Sequence, residues 1–178
     1  MPRAFALLIL ALAGCGRAPP VGAETIVWDS SVSFCLGCKA YAIKLRPDGE
    51  GTFLGNSYTA TREGRFHATP AQVRAFAERL APYRPGIGGA RLLSSKSREC
   101  ERITSDGATI DVRWQGEGGI PAHLVLYSGC DPEKNAAMFA ALLSAPEVLP
   151  LGPLLGPEGY APPHEPLPPP CAVHPETC

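Results

Sequence analysis

The chain predicts an α+β fold: an antiparallel sheet of about five or six strands with two helices packed on one face. Three observations carry this. Short stretches alternate apolar and polar residues with the period of two that a half-buried strand requires. Turn residues separate them, as in Pro47-Asp48-Gly49, where proline presets φ and glycine accepts a positive one. Two segments, opening on Thr69-Pro70 and Asp131-Pro132, place apolar residues at helical spacing.

Residues 25–34 read as strand-like. In 39–46, Tyr41, Ile43 and Leu45 share one face and Lys44 and Arg46 the other. Strands at 51–55 and 65–67 follow. Thr69 is then an N-cap, Pro70 occupies the first helical position, and Gln72 completes a capping box. Val73, Phe76 and Leu80 lay that helix on the sheet. In the second half, 102–105 leads to Asp106-Gly107, and Ile110, Val112 and Trp114 alternate with Asp111 and Arg113. A glycine-rich loop at 115–121 precedes a strand at 123–128. Asp131-Pro132 caps a second helix with Met138, Phe139, Leu142 and Leu143 as its buried face, ended by Pro146. Strands, an Asp-Gly turn, more strands and a Pro-initiated helix thus occur twice. Internal duplication explains this, and so does coincidence in a small domain.

The ends differ in composition from this middle. Residues 1–14 form a signal peptide, with Arg3 ahead of an apolar run at 4–13 that is too short to span a bilayer. The run closes on Leu12-Ala13-Gly14-Cys15, which resembles a bacterial lipobox. The resemblance implies cleavage before Cys15, a diacylglycerol on its sulfur and an acyl chain, such as palmitate, on the new amino terminus. Two such chains anchor a protein where one is marginal. An ordinary secretory signal cut after Val21-Gly22-Ala23 is the alternative. Gly16 rather than aspartate follows the cysteine, which by the sorting rule of enteric bacteria directs the protein to the outer membrane, facing the periplasm. Residues 15–23 are a tether and 24–145 the folded domain. Residues 146–178 hold 11 of the 20 prolines and read as a flexible, exposed tail.

With 16 basic and 17 acidic residues and no run of Lys or Arg, the chain lacks the electrostatic footprint of a nucleic-acid binder. It has no G-x-S-x-G, H-E-x-x-H or phosphate-binding loop. Asp106 and Asp111 read as turn and outward strand positions, and His67 and His123 as strand-face residues. Tyr41, Trp114 and Phe76 are core candidates. No catalytic residue, cofactor or metal site is assigned.

Of the seven cysteines, six remain after Cys15: Cys35, Cys38, Cys100, Cys130, Cys171 and Cys178. An even number in an exported chain reads as a disulfide framework, with 15 possible connectivities. Cys35-Leu-Gly-Cys38 also has the spacing of a redox pair. Such a pair works at a helix N-terminus, which lowers a thiol pKa, whereas the flanks here are strand-like. Haem attachment needs histidine where Lys39 stands, and a zinc ribbon needs a second CxxC. The preferred pairing is Cys100–Cys130 with Cys35–Cys38; the rival ties the 35–38 loop to the second half. Cys100 lies in a locally basic stretch that favours a reactive thiolate, but a bridge is simpler. His164, Cys171, His174 and Cys178 suit copper or zinc chemically, yet a Cys171–Cys178 bridge accounts for the tail more simply.

Cys35-Leu-Gly-Cys-Lys-Ala-Tyr41, followed by Asp48-Gly49, Gly55, Gly64, a helix and Gly129-Cys130, resembles a bacterial family of small exported domains of unknown function, often lipoproteins. Its signature is C-x-G-x-C-P-x-Y, then strand, Asp-Gly, strand and glycine. Here one residue is missing between the cysteines, and Lys39 replaces the proline. The resemblance covers roughly residues 25–145 and implies a fold and a location, without an activity to carry over.

The expectation is a cell-envelope lipoprotein with a disulfide-stabilised, non-catalytic binding or structural domain. It meets the membrane through Cys15, an envelope protein or other ligand elsewhere, and no nucleic acid. The alternative is a periplasmic thiol-redox or metal-handling protein using Cys35 and Cys38. An enzyme-inhibitor module is a weaker third reading, resting on architecture alone.

Overall fold

Seven strands form one sheet in the computed structural model, which describes residues 23–31, 37–116 and 119–159. They are β1 (Thr25–Ser31), β2 (Ala40–Leu45), β3 (Glu50–Ser57), β4 (Glu63–His67), β5 (Ala90–Leu93), β6 (Thr109–Gln115) and β7 (Ala122–Tyr127). Their order across the sheet is β4-β3-β2-β1-β6-β7-β5, antiparallel throughout except for β5 beside β7. The α+β class is as expected, with a seventh strand added.

Alternation along the strands makes one face of the sheet apolar. Ile26 and Trp28 of β1, Ile43 and Leu45 of β2, Ile110, Val112 and Trp114 of β6, and Leu124 and Leu126 of β7 are all buried. Helices α1 (Pro70–Leu80) and α2 (Pro132–Ser144) cover this face. Thr69 and Gln72 close the capping box of α1, and Val73, Phe76, Ala77 and Leu80 are its buried residues. Because β4 and β5 lie at opposite edges, α1 carries the chain from one side of the sheet to the other.

Trp28 ties the sheet to α2. It is fully buried, and its indole N–H donates to the Leu142 carbonyl at 3.0 Å. That carbonyl lies in the last turn of α2, where no intrahelical donor remains. Tyr41 packs between Trp28 and Phe53, with ring centroids 5.0 and 5.5 Å away. Burial, and secondarily the nearby Glu147 carboxylate, push the Tyr41 hydroxyl up to about 12.

The β2–β3 turn is built as its residues require. Gly49 N–H bonds the Arg46 carbonyl at 3.0 Å, and Gly49 sits at φ +90°. At Gly51 the constraint is space, since a Cβ there would run into the Phe66 ring stacked over it.

Several expectations need correction. β5 lies where the sequence predicts no strand; just one of its four residues, Leu93, is buried, so no alternation marks it. Residues 102–105 do not form a strand and contribute a single bridge, Ile103 to Cys130. The second half therefore uses a parallel edge strand where the first half is an antiparallel meander, and the two halves differ in connectivity. On α2, Met138 and Leu142 are buried and Phe139 is partly buried, but Leu143 is 45% exposed; Asn135 takes an inner position instead.

The expected boundary at residue 145 falls inside the packed unit. Ala145, Pro146, Leu149 and Leu151 are buried. The short helix α3 (Gly152–Leu155) then brings Leu154 against Gly64. Prolines here start helical turns, where a missing N–H costs nothing, and the leucines between them supply core.

Candidate functional site

The helix-free face of the sheet carries the charges. Asp29 of β1 lies opposite Asp111 of β6, and the same face holds Arg113 and, on β7, His123. Asp111 is the hub of this cluster. It accepts from Arg113 Nη2 at 2.9 Å, and its two oxygens lie 3.0 and 3.1 Å from His123 Nε2. The Asp111 and His123 side chains are only 26% and 28% exposed.

Asp29 is placed differently. Its carboxylate has no hydrogen-bond or ion-pair partner among the described residues. Partial burial, and then the charge of Asp111, raise its pKa above the ordinary 3.8, with Arg113 opposing. Ala42 and Val125, the cross-strand neighbours of the pair, and Val27, two residues along β1, frame it with apolar surface. Beside the carboxylates runs a row set by strand register: Arg65, Thr52, Lys44, Val27, Arg113, His123. Such a surface is flat and charged. It can take a cationic group at Asp29, whose opposite charge would favour the ionised carboxylate and offset the repulsion from Asp111.

The second cluster joins the 94–108 excursion to the β7–α2 connection. Cys100 and Cys130 form a disulfide with Cα atoms 5.2 Å apart. Asp131 occupies the N-cap position of α2 in the left-handed region, at φ 42°. Contrary to expectation, its carboxylate does not cap that helix. It accepts instead from the backbone N–H groups of Arg102 and Glu101, at 2.6 and 3.1 Å. The Arg102 bond is the largest influence holding its pKa below 3.8. Tyr127 bridges the same two segments, donating to the Thr104 carbonyl at 2.8 Å and accepting from Gly107 N–H at 3.0 Å. An ion pair between Arg102 and Glu133 lies outside it.

Cys38 is disulfide-bonded. Cys15, Cys35, Cys171 and Cys178, with His164 and His174, lie outside the described residues. Lys39 donates to the carbonyls of Gly156 and Pro157 at 2.7 and 2.9 Å, holding the segment after α3 against the start of β2. His67 pairs with Glu50 at 3.0 Å, while Trp114 and Phe76 are core residues. Among the described residues, no group of three His, Cys, Asp or Glu side chains is arranged to hold a metal ion, and no helix is long and apolar enough to cross a membrane.

Sequence reasoning missed Asp29 and the cationic row because their partners come from different strands. Only Asp111-Val112-Arg113, spaced by two within one strand, carried a local signal. Compared with known proteins, the chain matches no family model and no curated sequence.

Proposed function

We propose that this protein is an exported cell-envelope lipoprotein, anchored through Cys15, whose domain binds another envelope protein without chemistry of its own. The observation that supports an exported location is the Cys100–Cys130 disulfide, since such bonds persist in oxidising compartments outside the cytosol. The resemblance of the 35–41 loop to exported domains supports the same location. Binding is supported by the uncovered sheet face, where the unpaired Asp29 carboxylate suits a Lys- or Arg-bearing segment of the partner by charge complementarity.

Two measurements test it. Cells expressing the wild type and Cys15→Ser are labelled with a palmitate analogue; label in the wild type alone is expected, and equal label removes the anchor. The mature protein is then titrated with thiol reagent with and without reductant. Cysteines that are locked until reductant is added fit a structural framework, whereas a low-pKa, readily exchanged thiol at Cys35 establishes the redox alternative instead.

A further inference from the structure

We infer that the pole of the domain at which β1 begins is a membrane-contacting surface, with Ile87 and Ile120 as its apolar contacts. This rests on the lipid-anchor reading and adds a surface that the anchor alone does not require.

Four chain segments meet there. Thr25, the first residue of β1, pairs with Gln115, the last of β6. Glu24 receives two hydrogen bonds from the Arg84 guanidinium, at 2.8 and 3.0 Å, which draws the 84–89 loop to the start of β1. That loop closes through Gly89 N–H to the Gly86 carbonyl at 2.8 Å. It joins the β7 entry through His123 N–H to the Gly89 carbonyl at 3.0 Å. Gly88, at φ +65°, lies against Ile120. The 84–89 loop therefore stands beside residues 119–120, and each segment shows an isoleucine to solvent: Ile87 is 57% exposed and Ile120 76%.

Single exposed apolar residues are ordinary, but here two stand side by side on adjoining segments. What covers them follows from where the chain leaves the domain. Residues 16–23 separate Cys15 from Glu24, and eight residues reach at most about 29 Å. A lipid on Cys15 therefore keeps this pole beside the bilayer, at the high local concentration that a short link confers. Two charge pairs at this pole are compensated within the domain. Arg84 and Glu24 neutralise each other with side chains 16% and 11% exposed, and Arg46 pairs with Asp48 at 2.6 Å. Isoleucine side chains at an interface gain by burial among acyl chains, as on any amphipathic surface segment.

The test uses the full lipidated protein in phosphatidylethanolamine–phosphatidylglycerol vesicles doped with a phospholipid bearing a diazirine on its acyl chain. After irradiation, label is mapped to peptides. Label on the peptides holding Ile87 and Ile120 is expected, and it should be lost in Ile87→Asn/Ile120→Asn while label on the amino-terminal peptide persists. Both side chains are exposed, so the variant should melt with the wild type. Palmitate-analogue incorporation at Cys15 with photolabel confined to the amino-terminal peptide would overturn the contact surface and leave the anchor standing. Absence of incorporation at Cys15 would overturn the anchor, and this inference with it.

Discussion

Asp131 and Asp29 are both aspartates at partly covered positions, and the fold treats them in opposite ways. Asp131 meets two backbone N–H groups from a segment about thirty residues away, and its pKa falls. Asp29 is partly buried and then faces a second carboxylate across the strand pair, and its pKa rises. Ionised Asp131 therefore holds the fold together, while ionised Asp29 works against it. The contrast separates a structural region of this molecule, the 94–108 clasp, from a region whose charge is left for something else to meet.

The largest effect should come from cutting the clasp covalently. Cys100→Ser/Cys130→Ser should lose about 3.5 kcal/mol in urea denaturation, the chain-entropy estimate for its 30-residue separation. Amide NMR shifts around Asp29 should hold steady, because Asp29 makes no hydrogen bond or ion pair with the 94–108 segment. An unchanged midpoint would mean that Asp131 and Tyr127 suffice to hold the excursion.

A smaller loss is expected for Asp131→Asn, since an amide accepts one N–H and presents its own donors to the other. A depressed carboxylate pKa contributes stability that is fully present above 3.8 and disappears as pH falls through the folded value. Thermal melts of the wild type and variant should thus differ at pH 7 and converge in acid. A difference that persists in acid would place the effect in packing rather than charge.

The smallest effect has the opposite sign. With a raised pKa, wild-type stability declines as pH climbs from 3.8 through the folded value of Asp29. Asp29→Asn removes that decline, so its midpoint should equal or exceed wild type at pH 7, within the roughly 0.5 kcal/mol usual for substitutions away from the core. Destabilisation at neutral pH would show that Asp29 has a structural partner and would end the contrast with Asp131.

How much of this was legible beforehand follows from the range of each interaction. The capping box at Thr69 and Gln72 and the turn at Gly49 act within three or four residues, so the order of residues contains them. Asp131-Pro132 marked a helix start for the same reason, but the destination of its carboxylate depended on Arg102, which only folding brings near. β5 escaped notice because a parallel edge strand with one buried residue leaves no periodic trace. The prolines at 146, 150 and 153 suggested a tail by composition; burial of Leu149 and Leu151 against the core reversed that.

The sequence by itself determined the α+β class, the two long helices, six of the seven strands in outline and the candidate disulfide cysteines, because alternation, caps and turns are properties of neighbouring residues. Tertiary structure alone decided what each charged side chain faces: Asp29 the Asp111 carboxylate, Asp131 the backbone N–H groups of 101–102, Lys39 the carbonyls of Gly156 and Pro157. The physical reason is that Coulomb and hydrogen-bond energies depend on separation in space, and strand register sets that separation without leaving a mark along the chain.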